Sequence, residues 1–174
     1  MIQLQAGSTQ AYQQLLDKHL PLINRYIIRM LDNANEADDI TQEVFIRLWQ
    51  KAHSFNPRVA RLSTWLHKIA HNLCIDHFRK NKIDPGNEAS NLLEDMPGGS
   101  EPQTALLQQR QHFNIKQAMN YLSERQRSAI IMCHYQGLSN KFAAEVLEIS
   151  VVALESLLSR ARKKLRENLP APTD

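Results

Sequence analysis

Glycine and proline are scarce in this 174-residue chain, with 5 and 7 copies. Long stretches contain neither, which disfavours a turn-rich β fold and favours helices. Cysteine is nearly absent. Cys74 and Cys133 both sit inside amphipathic patterns, where a buried free thiol is the usual outcome. No run approaches the ~20 apolar residues of a membrane span. Met1 to Gln10 is polar and lacks the apolar centre of a signal peptide. These absences predict a cytoplasmic protein without membrane insertion. There is no Gly-rich phosphate loop, no nucleophile–base pair in a recognisable setting and no dense carboxylate cluster, so no enzyme site and no cofactor are predicted. Net charge is only +3, and Ile83 to Gln109 contains no Lys or Arg while holding Asp84, Glu88, Glu94, Asp95 and Glu101. That acidic stretch masks basic sequence on either side, of the kind that gains from phosphate attraction and counterion release beside DNA.

What is present is helical periodicity. Tyr12, Leu15, Leu16, His19, Leu20, Ile23, Tyr26, Ile27 and Met30 recur at helical spacing, with a kink expected at Pro21. Ala37 to Ala52 places Ile40, Val44, Phe45, Leu48 and Trp49 on one stripe, and Glu36, Asp38 and Asp39 at its start, where the helix dipole favours anions. Phe55-Asn56-Pro57-Arg58 breaks the pattern. Ser63 or Thr64 is the expected N-cap of a third helix running to about Lys82, with Leu66, Ile69, Ala70, Leu73 and His77 as its core face. Ile83 to Gln103, rich in Pro, Gly and acids, reads as a linker. Extended at ~3.3 Å per residue it spans about 70 Å, more than one DNA turn of about 34–36 Å. Helices resume from Ala105 to about Tyr121. Glu124 to Tyr135 follows, with Ser123 and Gln126 as a capping box and Gly137 as its C-cap, then Asn140 to Leu147 and Val151 to about Asn168. The fold class is all-α: a helical module over residues 1–82, a linker over 83–104, and a second module over 105–174.

Leu138 to Leu158 has the pattern of a helix-turn-helix. Ala143 and Ala144 allow close approach of two helices, and Leu147, Ile149, Leu154 and Leu158 supply a shared core. Ser150 caps the second helix, whose N-terminal half in such motifs faces base edges. The outward positions are Ala153, Glu155, Ser156, Ser159 and Arg160, followed by Arg162, Lys163, Lys164 and Arg166 for phosphates. A plain αα-hairpin with a solvated basic face is the other reading. Glu148 occupies the turn, where Gly is usual because it tolerates positive φ.

Beyond these patterns, the chain resembles the extracytoplasmic-function (ECF) group of the sigma-70 family over nearly its whole length. The matching stretches are Ala37 to Trp49, Phe55 to Arg58, Thr64 to Arg79, Leu122 to Arg127, Gly137 to Ser139 and Leu158 to Arg166. The resemblance implies that Asp38, Asp39, Gln42 and Glu43 dock on the clamp helices of core RNA polymerase. It implies that the loop from Phe55 to Ser63 and the helix after it read and melt a promoter −10 element, with Asn56 and Arg58 in the loop and Trp65, Lys68, His71, Asn72, Arg79 and Lys80 along the DNA. Trp65 suits base stacking, and it suits a core aromatic equally. The second module is implied to sit on the polymerase flap and read the −35 element through Ser139, Lys141, Ser150, Ala153, Glu155, Ser156, Ser159, Arg160 and Lys163. Basic residues are frequent in the family where Glu155 and Leu157 stand. Glu155 can accept from a cytosine amine, so an altered −35 preference is expected. An anti-sigma factor is the implied regulatory partner.

Two rivals remain. His67, His71, Cys74 and His77 have zinc-compatible chemistry, but residues 67 to 77 cover about 15 Å of helix, too far for one ion, and only the His67–His71 pair could chelate together; no metal is expected. A regulator that binds DNA without joining polymerase explains the second module but not the acidic helix or the −10-like segment.

Overall fold

Polar caps fix where the helices begin. In a computed structural model, which describes residues 2–83 and 113–169, Ser8 Oγ accepts from Ala11 N and starts α2 (Thr9–Leu31), after a short α1 (Ile2–Gln5). Asn33 accepts from the backbone of Asn35 and Glu36 and starts α3 (Ala34–Lys51). Between α2 and α3, Asp32 turns the chain at φ 61°. A 3-10 turn (Ala52–Ser54) and an irregular loop lead to α4 (Leu62–Ile83). In the second module α5 (113–120) is followed by α6 (Glu124–Ile130), a π-helical turn (Ile131–Tyr135), α7 (Asn140–Leu147) and α8 (Val151–Asn168). Every regular element among the described residues is helical, so the all-α expectation holds. The linker from Asp84 to Thr104 and the expected start of α5 at Ala105 lie outside the described residues.

The first module packs α2, α3 and α4 against one another, with α1 closing one end. Ile23, Tyr26, Ile27 and Met30 of α2, Val44, Phe45 and Leu48 of α3, and Leu66, Ala70 and Cys74 of α4 form its core. Each fully buried aliphatic or aromatic side chain contributes roughly 1.5–3 kcal/mol. Helix α2 continues through Pro21, the position of the expected kink: both Pro21 and Asp17, whose carbonyl loses its donor, are exposed, so water can replace the bond. Other expectations need correction. Helix α4 starts at Leu62, which leaves Ser63 and Thr64 inside its first turn rather than at its cap. Trp49 is 41% exposed and packs edge-on against Tyr12 with ring centroids 5.2 Å apart. The segment Ile2–Gln5, which carries no strong pattern, is held by buried Leu4 and by Gln5, whose amide donates to Ala52 O and Phe55 O at 2.9 Å.

In the second module the Ser123–Gln126 capping box forms as its spacing predicts. The helix it opens does not stay α to Tyr135; its last turn is π. Ala129, Ile130, Ile131 and Met132 are all buried, and this turn packs on α2 of the first module and on α7 of its own. Gly137 takes φ 64°, and Leu138 N–H reaches back over it to Met132 O at 2.9 Å.

The modules meet along α4, α2, α6, the π turn and α7. Tyr26 Oη lies 2.7 Å from Ser128 Oγ and 3.2 Å from His71 Nδ1; Tyr26 and Ser128 are 0% exposed and His71 7%. Burial pushes His71 down to about 4, with Arg125 adding to the shift and Glu124 opposing it. Burial lowers His67 and His19 as well, and the nearby Lys18 charge adds to the shift at His19. The native state therefore binds fewer protons than the unfolded chain between the ordinary histidine value of 6.5 and about 4. Stability is full above pH 6.5 and is lost as pH falls through this window. His71 alone predicts a loss of about 2 kcal/mol between pH 7 and pH 5. Urea unfolding at the two pH values checks it, and a His71→Gln variant is expected to show a shallower pH slope than the parent.

Candidate nucleic-acid interface

The helix-turn-helix is built as its sequence pattern predicts. Ser139 caps α7 by accepting from Phe142 N at 3.2 Å, and Ser150 caps α8 by accepting from Ala153 N at 3.1 Å. Ala143, Ala144, Leu147, Leu154 and Leu158 are buried between the two helices and α6. At the turn, Glu148 adopts φ 55°, ψ 44°, the left-handed conformation that favours Gly. Ser139, Lys141, Ser150, Ala153, Glu155, Ser156, Ser159, Arg160 and Lys163 are all exposed. Exposed Val152 joins them at the start of α8, a contact surface that a polarity-based reading passes over. The basic tail of α8 divides in two. Arg162 donates to His134 Nε2 at 3.1 Å and Lys164 to Tyr121 O at 3.1 Å. These two cations reach other elements of the module, whereas Arg160 bonds Ser156 O and Lys163 pairs with Glu167 within α8; all four are exposed.

On the first module, the loop after the 3-10 turn is shaped by Asn56, whose Oδ1 accepts from Arg58 N at 3.0 Å. This side chain–backbone turn leaves Asn56 and Arg58 exposed. Trp65 is half-buried against Phe55, with ring centroids 5.2 Å apart. Asn72, Arg79 and Lys80 are exposed along α4, with Arg79 Nη1 3.4 Å from Asp76 Oδ1. Two members of the sequence-derived set are placed differently. His71 lies in the module seam against Tyr26, so this arrangement does not set it on an open surface. Lys68 is paired with Glu148 of the second module. That ion pair holds the Glu148 carboxyl below its ordinary value. Helical periodicity cannot separate the polar side of α4 that meets solvent from the one that meets a module some seventy residues away.

The acidic face of α3 is open. Asp38, Asp39 and Gln42 are exposed; Asp38 accepts from Asn24 Nδ2 at 3.0 Å, and Glu43 is bonded by Arg47 Nε at 2.7 Å. Exposed Ile46 continues the same face one turn on. The candidate zinc residues are directed elsewhere. His67 Nδ1 is 2.8 Å from Ser63 O and its Nε2 3.1 Å from Gln136 Oε1, while His77 Nε2 is 3.0 Å from Glu36 Oε2 and is not a core residue. Among the described residues, no group of three or more His, Cys, Asp or Glu is placed to hold a metal, and no helix is long and apolar enough to cross a membrane.

Comparisons with known proteins coincide with this division. Residues 15–83 match the family model for sigma-70 region 2, and residues 112–165 match that for sigma-70 region 4. The chain is 31% identical to the ECF RNA polymerase sigma factor SigW of Bacillus subtilis, over 96% of this chain and 93% of that protein. It is 26% identical to the ECF RNA polymerase sigma factor BldN of Streptomyces coelicolor over 95% of this chain, which spans 63% of that longer relative. In three dimensions it is similar to the sigma factor RpoE from Bartonella quintana, solved with the anti-sigma factor NepR, at a TM-score of 0.73 and 25% identity, covering 95% of this chain and all of RpoE. Two sigma regions in order, a matching two-module helical fold and a near full-length relative above 30% identity place the chain in the ECF sigma factors of the sigma-70 family, proteins that direct transcription initiation.

Proposed function

We propose that this sigma factor docks on core RNA polymerase through α3 and reads a two-part promoter with its two modules. The observation that carries the reading is the pairing of an open acidic face, Asp38, Asp39 and Gln42 on α3, with the exposed capped N-terminus of α8 on the other module. In this reading Asp38, Asp39, Gln42 and Glu43 meet the basic clamp helices, and the second module rests on the flap. Asn56 and Arg58 hold melted −10 bases, Trp65 offers a stacking face, and Lys68, Asn72, Arg79 and Lys80 follow the backbone. His71 joins that set only when the seam opens. Ser139, Lys141, Ser150, Ser159, Arg160 and Lys163 meet −35 phosphates, and Ala153, Glu155 and Ser156 face base edges. The functional boundaries are 1–82, 83–104 and 105–174. An anti-sigma factor is the expected regulator, as in the RpoE–NepR complex.

Transcription of sheared genomic DNA by core polymerase, with and without this protein, tests the reading. Discrete new RNA 5′ ends sharing −10 and −35 sequences are expected. Their absence with active core and folded protein defeats it and favours a DNA-binding regulator. Once the promoter is known, Glu155→Gln is expected to lose about 1–3 kcal/mol of discrimination at one −35 base pair, measured by competition binding, if the carboxylate accepts from a cytosine amine. An unchanged base preference at every −35 position sinks that assignment.

A further inference from the structure

Helix α8 carries an apolar side chain where nothing in the fold uses one. Val152 is 73% exposed and belongs to no part of the hydrophobic core. Helical spacing sets it on the far side of α8 from the buried line of Leu154, Leu158 and Ala161. It shares that outward face with Glu155, Ser156, Ser159 and Lys163, all exposed. Several polar groups of this face are bonded within the helix itself. Ser156 Oγ donates to Val152 O at 3.1 Å, Arg160 Nε donates to Ser156 O at 3.3 Å, and Lys163 Nζ lies 3.9 Å from Glu167 Oε1. Ala153, beside Val152, has no polar side-chain atom. The start of the face therefore presents methyl groups, with the carboxylate of Glu155 one turn on. For the helix alone a valine at this site is a cost, because a β-branched residue forms helix less readily than alanine.

We propose that Val152 is a specificity-determining residue, packing its methyl groups against the 5-methyl group of a thymine in the −35 element. This rests on the reading that α8 enters the major groove there. Among the four bases only thymine sets a methyl group on the major-groove edge; the other features displayed there are hydrogen-bond donors and acceptors. Val152 has no donor or acceptor on its side chain, so that methyl is the base feature it attracts. Its β-branch holds χ1 in one strongly preferred rotamer within a helix, so little side-chain freedom is lost when the contact forms. Glu155 follows three residues later, about 4.5 Å along the helix axis, against about 3.4 Å per base step along one DNA strand. The thymine is therefore expected one or two base pairs from the pair that Glu155 reads.

Deoxyuridine scanning of the −35 element tests this, with core polymerase and the full chain assembled on a promoter found by mapping RNA 5′ ends. Deoxyuridine removes the 5-methyl group of a thymine and leaves its hydrogen-bonding edge unchanged. Affinity is measured by competition between the thymine and uracil duplexes. At one −35 position uracil is expected to weaken binding of the parent about fourfold, the weight of one buried methyl group at about 0.8 kcal/mol. Val152→Ala places a better helix former at an exposed site, so the variant is expected to fold normally. It is expected to bind the thymine duplex more weakly by a similar factor, and to tell thymine from uracil at that position by less than about 1.5-fold. Uracil at any other position is expected to act on parent and variant alike. A −35 element without thymine, a parent indifferent to uracil throughout it, or an unchanged uracil penalty in Val152→Ala overturns the contact and leaves the promoter reading standing. No promoter-directed transcript from folded parent and active core sinks the two-part promoter reading, and this contact with it.

Discussion

Core polymerase is expected to bind an Asp39→Arg variant at least about tenfold more weakly than the parent. Asp39 is exposed on α3 and makes no hydrogen bond or ion pair with the described residues, so the substitution removes nothing that holds the fold. Its effect is carried by the partner. Charge reversal replaces an attraction to basic clamp helices with a repulsion, and disrupting a buried interfacial charge pair costs about 2–5 kcal/mol. Asp38 and Glu43 are poorer probes, because Asn24 and Arg47 engage them within the module. Affinity measured by fluorescence anisotropy, beside a thermal melt of each protein, separates docking from folding. Parental affinity in a normally folded variant sinks the assignment of α3 as the docking helix.

The second large effect is expected in the core of the helix-turn-helix. Leu154 is completely buried at the meeting of α8 with α6 and α7. Leu154→Ala removes three heavy atoms' worth of packing there, and such truncations cost about 2–5 kcal/mol. The loss is expected to fall first on the second module, because Leu154 sits on α8 against α6 and α7, while Ile23, Val44, Leu48 and Leu66 are buried on α2, α3 and α4. Both tryptophans, Trp49 and Trp65, are in the first module. In urea, far-UV circular dichroism of the variant is therefore expected to fall before the tryptophan fluorescence changes. Coincident transitions would show that the closed seam couples the modules into one unit; a loss below about 1 kcal/mol would show that the site collapses around the smaller side chain.

Much of this architecture was legible before any coordinates. The Ser123–Gln126 box, the Ser150 cap and the Leu147, Leu154 and Leu158 stripe are local features, set within three to eleven residues of one another. So were the exposed acidic start of α3 and the exposed face of α8, because a charged residue among periodic apolar ones faces water by default. Partners distant in the chain leave no such signal. The family resemblance sets His71 and Lys68 along the DNA, and nothing in the local pattern of α4 shows that His71 meets Tyr26 and Lys68 meets Glu148 in this structure. The basic run of α8 likewise looks uniform, although Arg162 bonds His134 and Lys164 bonds Tyr121 O.

Composition and spacing are enough to show that the chain is helical, where α6, α7 and α8 begin, that the second module holds a helix-turn-helix, and which family the chain resembles. Those are properties of spacing and capping, and they act over a turn or two of chain. Only the tertiary structure decided that Tyr26 bonds Ser128, that Gln136 caps Leu22 O, and that Glu148 finds Lys68, pairs separated by 102, 114 and 80 residues. A contact across that separation depends on how two folded surfaces fit, and a polar side chain gives the same local signal whether it meets water, DNA or the other half of its own chain.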